Sequence, residues 1–294
     1  MRSFEELLER TRKGFPLSEA VLALDAEEQM IDADDLRESL RARLRVMRET
    51  VEAALAGHWQ PKLIADDKDK YPVRTGKALC GDLIWRASQI AVALGTCNAS
   101  MGRIVAAPTA GSCGILPGLL FAWQETNNAD EAAVLEGLIV AAAVGEIIAN
   151  RATLAGASGG CQAECGAAAA MGAAALCYME GGNAEASAHA AALALKSLLG
   201  LVCDPVAGLV ESPCVKRNGS LVAIGAVSAD MALAGVRSII PPDEVVDAMG
   251  EVGRSLPENL RETARGGCAA TPSGKAMKKK LARSIPAAGA EVVS

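Results

Sequence analysis

The stretch Cys165 to Met179, CGAAAAMGAAALCYM, is the longest uninterrupted apolar run and the feature that most narrows what this chain can fold into. It is bounded by Glu164 and Glu180. It falls short of the roughly 18 to 20 apolar residues that a membrane-spanning helix needs, so it reads as a helix buried in a globular core. Nine of its fifteen residues are Ala or Gly, and such small residues let helix backbones approach closely. The rest of the chain is built the same way, with 51% hydrophobic residues but only 3% aromatic ones. A core of Ala, Val, Leu, Ile and Gly predicts an all-α protein, mainly helical with irregular Gly/Pro loops and at most a short strand. A chain of 294 residues buries enough surface to need no disulfide staples.

Residues 1–70 are heavily charged and predict an N-terminal helical region packed on the core or on a partner. Within it Leu36, Leu40, Leu44, Met47, Val51 and Leu55 recur at helical spacing, after acidic residues and among arginines. The segment ADDKDKYPVRTGKALCGD reads as a loop. Residues 71–285 then form the main helical domain, and 286–294 a frayed tail. The segment GSLVAIGAV suits either a short strand or the opening of a buried helix, and PPDEVVDAMGEVGRSL suits a helix with a proline-led start.

A net charge of −6 and a sequence pI near 5.2 argue against nucleic acid or an anionic membrane as partner. The opening MRSFEELLERTRKGF has no apolar segment of the secretory kind, so a cytoplasmic location is expected. There the nine cysteines stay reduced.

Three of these cysteines sit at Gly/Pro breaks: Cys161 after Gly159 and Gly160, Cys203 before Asp204 and Pro205, and Cys214 after Pro213. Such punctuation places a side chain on a rigid irregular segment that can face a cavity. Cys161 also begins a helix, where the macrodipole favours thiolate, the metal-binding form. The intervals of 42 and 11 residues contain no CxxC pair and match structural zinc poorly. They suit an iron–sulfur cluster with one iron left open. On spacing alone, burial of three cysteines as small hydrophobes competes with this reading.

The segments APTAGSCGILPG (107–118), SGGCQAE (158–164) and LGLVCDPVAGLVESPCVKRN (199–218) resemble the alpha chain of the iron–sulfur L-serine dehydratases. The resemblance runs from about Gly81 to Gly274 and includes ADMALAG (229–235) and GGCAATPSGK (266–275). It implies a 4Fe–4S cluster held by Cys161, Cys203 and Cys214, whose open iron acts as a Lewis acid on the hydroxyl of L-serine. Loss of hydroxide and of the Cα proton then yields aminoacrylate, which hydrolyses to pyruvate and ammonia without pyridoxal phosphate.

In the family the presumed catalytic histidine lies in a Ser-His-Thr segment of the beta part, which this chain lacks. The resemblance therefore implies a beta subunit as partner, and a higher oligomer. Neither His58 nor His189 stands in a segment that suggests catalysis. The loop with Thr109, Gly111 and Ser112 can hold a substrate carboxylate through hydroxyls and backbone N–H groups, and it equally suits a helix N-cap. Ser158, Gly159 and Gly160 are placed to donate N–H groups to cluster sulfides, or simply to make a turn. Lys216 and Arg217 can offset negative charge, or be merely solvated. Asp204 reads best as an Asx-type turn with Pro205. Cys165 and Cys268 stand where relatives are expected to carry apolar residues, and each raises the question of a fourth ligand. Cys80, Cys97, Cys113 and Cys177 are assigned to packing. The alternatives are a cluster-dependent lyase acting on L-cysteine and a noncatalytic iron–sulfur or redox-sensing subunit. A pyridoxal-phosphate dehydratase is disfavoured because no lysine is convincingly placed.

Overall fold

The computed structural model describes residues 1–64, 74 and 76–284. The chain folds into helices α1 (Phe4–Arg12), α2 (Leu17–Gln29), α3 (Ala33–Ala56), α4 (Asp82–Ala99), α5 (Ile115–Asn127) and α6 (Glu131–Arg151). These are followed by the four-residue α7 (Gly156–Gly159), α8 (Ala167–Met179), α9 (Ala184–Ser197), α10 (Cys214–Leu233), α11 (Pro242–Ser255) and α12 (Pro272–Ser284). Among the described residues there is no strand. The single isolated bridge, between Cys203 and Arg261, runs parallel. The all-α expectation holds, and GSLVAIGAV resolves as helix inside α10.

The alanine run forms α8, which is buried on every side from Ala167 to Cys177 and packs against α5, α6, α9 and α10. Its small side chains are what bring the neighbours in. A Cβ at Gly172 would lie 2.3 Å from Leu119 Cδ1 on α5, so the Leu119 side chain occupies space that position 172 leaves free. Helix α6 is long and apolar enough to cross a membrane by length and composition, with mean hydropathy 2.0. It instead packs on α8, α2 and α3, with 67% of its apolar window buried in the protein.

The N-terminal helices close over the same core. Phe4, Leu7, Leu17, Val21, Leu22, Leu44, Met47 and Val51 are buried within it, and Leu36, Leu40 and Leu55 pack partly buried against it. The stripe read in α3 is thus the packing face. Asp32 caps α3 by accepting from Asp34 N at 2.8 Å. The boundary expected at residue 70 and the tail expected at 286–294 lie outside the described residues.

Candidate active site

The Gly/Pro breaks converge on one side of α8, beside the start of α10. The first leaves α7 at Gly160, which adopts φ 75° and ψ −176°, backbone that essentially only glycine adopts. A Cβ there would also meet Leu256 Cδ1 at 2.7 Å and Leu201 O at 2.9 Å. Cys161 follows, and the next five residues, Gln162–Gly166, form a π-helical turn before α8 begins. Such turns are rare and concentrate at functional sites. Gln162 ties this turn to two other segments: its Oε1 accepts from Gly200 N at 2.8 Å and its Nε2 donates to Met249 O at 3.0 Å.

Cys203 lies between α9 and α10, stitched to the segment after α11. Its N–H donates to Leu260 O at 2.9 Å, and its carbonyl accepts from Glu262 N at 2.8 Å. Cys214 is the first residue of α10. One turn on, Arg217 points back into the site, donates to Val202 O at 2.9 Å and pairs with Asp204 Oδ1 at 2.8 Å. Asp204 therefore serves as the buried counter-ion of Arg217, and its other oxygen accepts from Cys268 N at 2.6 Å, in place of the expected Asx turn. The preceding segment is anchored by buried Glu211, whose carboxylate accepts from the amides of Lys62, Leu63 and Ile64 at 3.0, 2.6 and 3.3 Å.

The loop Thr109–Ser112 completes the ring. Asn218 on α10 donates to Gly111 O at 2.7 Å and to Cys214 O at 3.0 Å, while its Oδ1 accepts from Gly114 N at 3.0 Å. The Thr109 hydroxyl donates to Glu164 Oε1 at 2.8 Å and lies 3.1 Å from Ser112 Oγ. Ser112 is wholly buried, and its side chain and backbone close a capping box with Thr109. The N-cap reading of these two hydroxyls is the one the geometry realises, and the Thr109 proton is directed at Glu164.

Electrostatics separates the thiols. Cys161 is lowered from the ordinary thiol value, first by the hydrogen bond from Cys165 and further by the Arg217 guanidinium. Its partner Cys165, fully buried, is raised well above that value by the same hydrogen bond and by desolvation. Burial pushes Cys214 up to about 12, and the nearby Cys161 adds to the shift. Cys203 is raised too, by burial and then by Glu164 and Cys161. Cys161 raises both Cys203 and Cys214, so the three thiols form a site that gathers negative charge when they ionise, a donor set suited to a metal centre.

The structure therefore brings together Cys161, Cys203, Cys214, Thr109, Gly111, Ser112 and Arg217, and leaves others aside. The amides of Ser158 and Gly159 donate to Ala155 O at 3.1 and 2.9 Å, and that of Gly160 to Gly156 O at 2.9 Å. These amides are engaged inside α7, as the turn reading of these residues expects. Lys216 turns outward and is exposed, unlike its neighbour Arg217. Cys97, Cys113 and Cys177 are buried as expected for packing, but Cys80 is exposed on the loop before α4. Sequence reasoning missed Gln162, Glu164, Asn218 and Glu262. Glu164 and Asn218 close the quoted segments SGGCQAE and CVKRN, whereas Glu262 reaches the site only because residues 260–262 run beside Cys203.

The sequence model of the family described as "Serine dehydratase alpha chain" matches residues 12–269. The chain belongs to that family. The alpha chain is 46% identical over 284 residues to a probable L-serine dehydratase alpha chain of Bacillus subtilis, covering 95% of each protein. It is 43% identical over 275 residues to the L-serine dehydratase alpha chain of Peptoniphilus asaccharolyticus, covering 91% of this chain and 93% of that one. An L-serine dehydratase of Streptomyces coelicolor is 36% identical over 91% of this chain, which spans only 60% of that protein's length. Neither histidine of this serine dehydratase alpha chain enters the site. His189 Nδ1 accepts from Ser238 N at 3.3 Å, and His58 is exposed beyond α3.

Proposed function

We propose that this alpha chain is the cluster-binding subunit of an iron–sulfur L-serine dehydratase, converting L-serine to pyruvate and ammonia together with a beta subunit. The observation that carries the reading is the convergence of Cys161, Cys203 and Cys214 from three separate segments onto one buried site with Arg217 among them. Cys161, Cys203 and Cys214 would hold a 4Fe–4S cluster. When bound, such a cluster supplies an iron without a protein ligand, a Lewis acid toward the substrate hydroxyl.

The chain's own residues position and balance charge. Arg217, held by Asp204, keeps a positive charge against Cys161 and offsets thiolate charge at the site. Asn218 locks the Thr109–Ser112 loop to the start of α10, so the substrate-binding loop with Gly111 and the ligand Cys214 move as one unit. Cys165 stays inside the core, its S–H directed at Gly111 O at 4.0 Å. The base for the Cα proton is assigned to the beta subunit. That assignment is supported by the placement of both histidines away from the site. A cytoplasmic heteromer of higher order goes with this reading.

The test is anaerobic purification of the chain with its beta partner, iron quantification, and assay of L-serine and L-cysteine with and without iron. Iron-dependent pyruvate from L-serine is expected. Sulfide from L-cysteine with no turnover of serine would make it a cysteine lyase, and a cluster indifferent to both amino acids would make it a noncatalytic subunit.

A further inference from the structure

Beside the three cysteines lies a pair of carboxylates that the mechanism above leaves unused. A carboxylate oxygen of Glu164, one of Glu262 and the Cys203 sulfur all lie within 4.8 Å of one another. Two carboxylates this close repel, and burial of Glu164 makes that repulsion harder to screen. The nearby Arg217 is committed to Asp204, with Arg217 Nη1 2.8 Å from Asp204 Oδ1. Glu164 is nonetheless firmly held. Thr109 Oγ1 donates to Glu164 Oε1 at 2.8 Å. A Cβ at Gly156 would lie 2.6 Å from Glu164 Oε2 and 3.1 Å from Glu262 Oε2, so glycine leaves the two carboxylates room to face one space.

That space is flanked by Cys203 on one side and by the Thr109–Ser112 loop on the other. In serine the ammonium nitrogen sits on the carbon that joins the carboxylate to the hydroxymethyl group. A ligand whose hydroxyl faces the cysteines and whose carboxylate faces the loop therefore presents a compact cation, with three N–H donors, to the carboxylates between them.

We propose that Glu164 and Glu262 receive the α-ammonium group of the amino-acid substrate, with Thr109 orienting Glu164. The inference rests on the serine dehydratase reading of the site and adds a source of specificity: the paired acids select amino acids over hydroxy acids and simple carboxylates. A neutral ligand would leave the half-buried Glu164 carboxylate facing that of the exposed Glu262 with no positive charge between them.

The test uses the reconstituted holoenzyme with Glu164→Gln, which keeps the shape and an acceptor for Thr109. Dissociation constants are measured for L-alanine and propanoate, which differ only by the amine, together with KM and kcat for L-serine and the iron content. The expected result is binding of L-alanine, and KM for L-serine, weakened by about tenfold or more, with propanoate within about twofold and iron unchanged. Equal weakening of both ligands, or weakening of neither, overturns the proposal. If Glu164→Gln loads too little iron, Thr109→Val carries the test. A smaller loss, about threefold and confined to the amine-bearing ligands, supports the proposal; intact discrimination overturns it and assigns the carboxylates to metal binding. A wild-type holoenzyme that releases no pyruvate from L-serine sinks the dehydratase reading, and this inference with it, a result separate from any behaviour of Glu164.

Discussion

Helix α8 and the ring of loops beside it are made of the same small residues, Ala, Gly and Cys, yet these do opposite work in the two places. In α8 the missing side chains let neighbouring helices approach, as at Gly172 against Leu119, and the backbone is ordinary helix. Around the site the missing side chains free the backbone itself, as at Gly160 with φ 75°, and the chain turns out of helical geometry to present Cys161. The cysteines divide the same way. Cys113 and Cys177 lie among apolar neighbours, whereas Cys161, Cys203 and Cys214 lie among charges: Arg217, Asp204, Glu164 and Glu262. Glycine and cysteine counts alone therefore say little about function; backbone conformation and charged neighbours separate the roles.

The sharpest way to break that comparison is to exchange cysteines one turn apart. Cys161→Ser should remove iron binding and all detectable pyruvate formation. Cys165→Ala should keep most of the iron and cost about 1–2 kcal/mol of stability as a small core truncation. Iron analysis and urea denaturation of the anaerobic protein would check both, and iron retained in Cys161→Ser would dissolve the distinction between ligand and core thiol.

A smaller effect is expected from the glycines. Gly160→Ala forces a side chain into backbone that strains it by about 1–3 kcal/mol, and it should displace Cys161 and lower iron occupancy as well as thermal stability. Gly172→Ala overpacks the α5–α8 crossing at a comparable cost, about 1–3 kcal/mol. Because Leu119 meets it away from the site, iron per folded molecule should stay unchanged. Loss of iron in both variants, or in neither, would mean that glycine has the same role in the two regions.

A further contrast, confined to alkaline pH, concerns a thiol of the packed region. Burial pushes Cys113 up to about 12, from the ordinary 9.0. Below pH 9 the thiol is protonated in both folded and unfolded chains, so its contribution to stability is fully present. Between about pH 9 and 12 only the unfolded chain loses the proton, and stability falls by ~1.4 kcal/mol per pH unit from this group. Cys113→Ala should make the alkaline decline shallower by that amount in urea titrations at successive pH values. An unchanged slope would show that the thiol is not held in an apolar setting.

Much of this was legible in the chain. The stripe from Leu36 to Leu55, the alanine run and the proline-led start of α11 name their helices because an amphipathic or wholly apolar period has few other ways to bury itself. The three site cysteines stand out through Gly and Pro beside them, because punctuation of the backbone is written locally. Of the two readings open at Ser158 to Gly160, the turn is visible in the backbone, because these residues close a helical turn and use their N–H groups there. The inward turn of Arg217, with Lys216 exposed beside it, depends on helix phase at the start of α10 and on Asp204 being present to receive it.

The sequence by itself determined an all-helical protein with a small-residue core, the family, and the three cysteines at its breaks, since periodicity, composition and motifs are properties of neighbours in the chain. Only the tertiary structure decided that Glu164 and Glu262 share one space beside Cys203, that Asn218 ties the Thr109–Ser112 loop to Cys214, and that Cys165 faces Gly111 from within the core. Those contacts join residues up to about a hundred positions apart, and no local pattern encodes a meeting that exists only once α8, α10 and the segment after α11 have packed together.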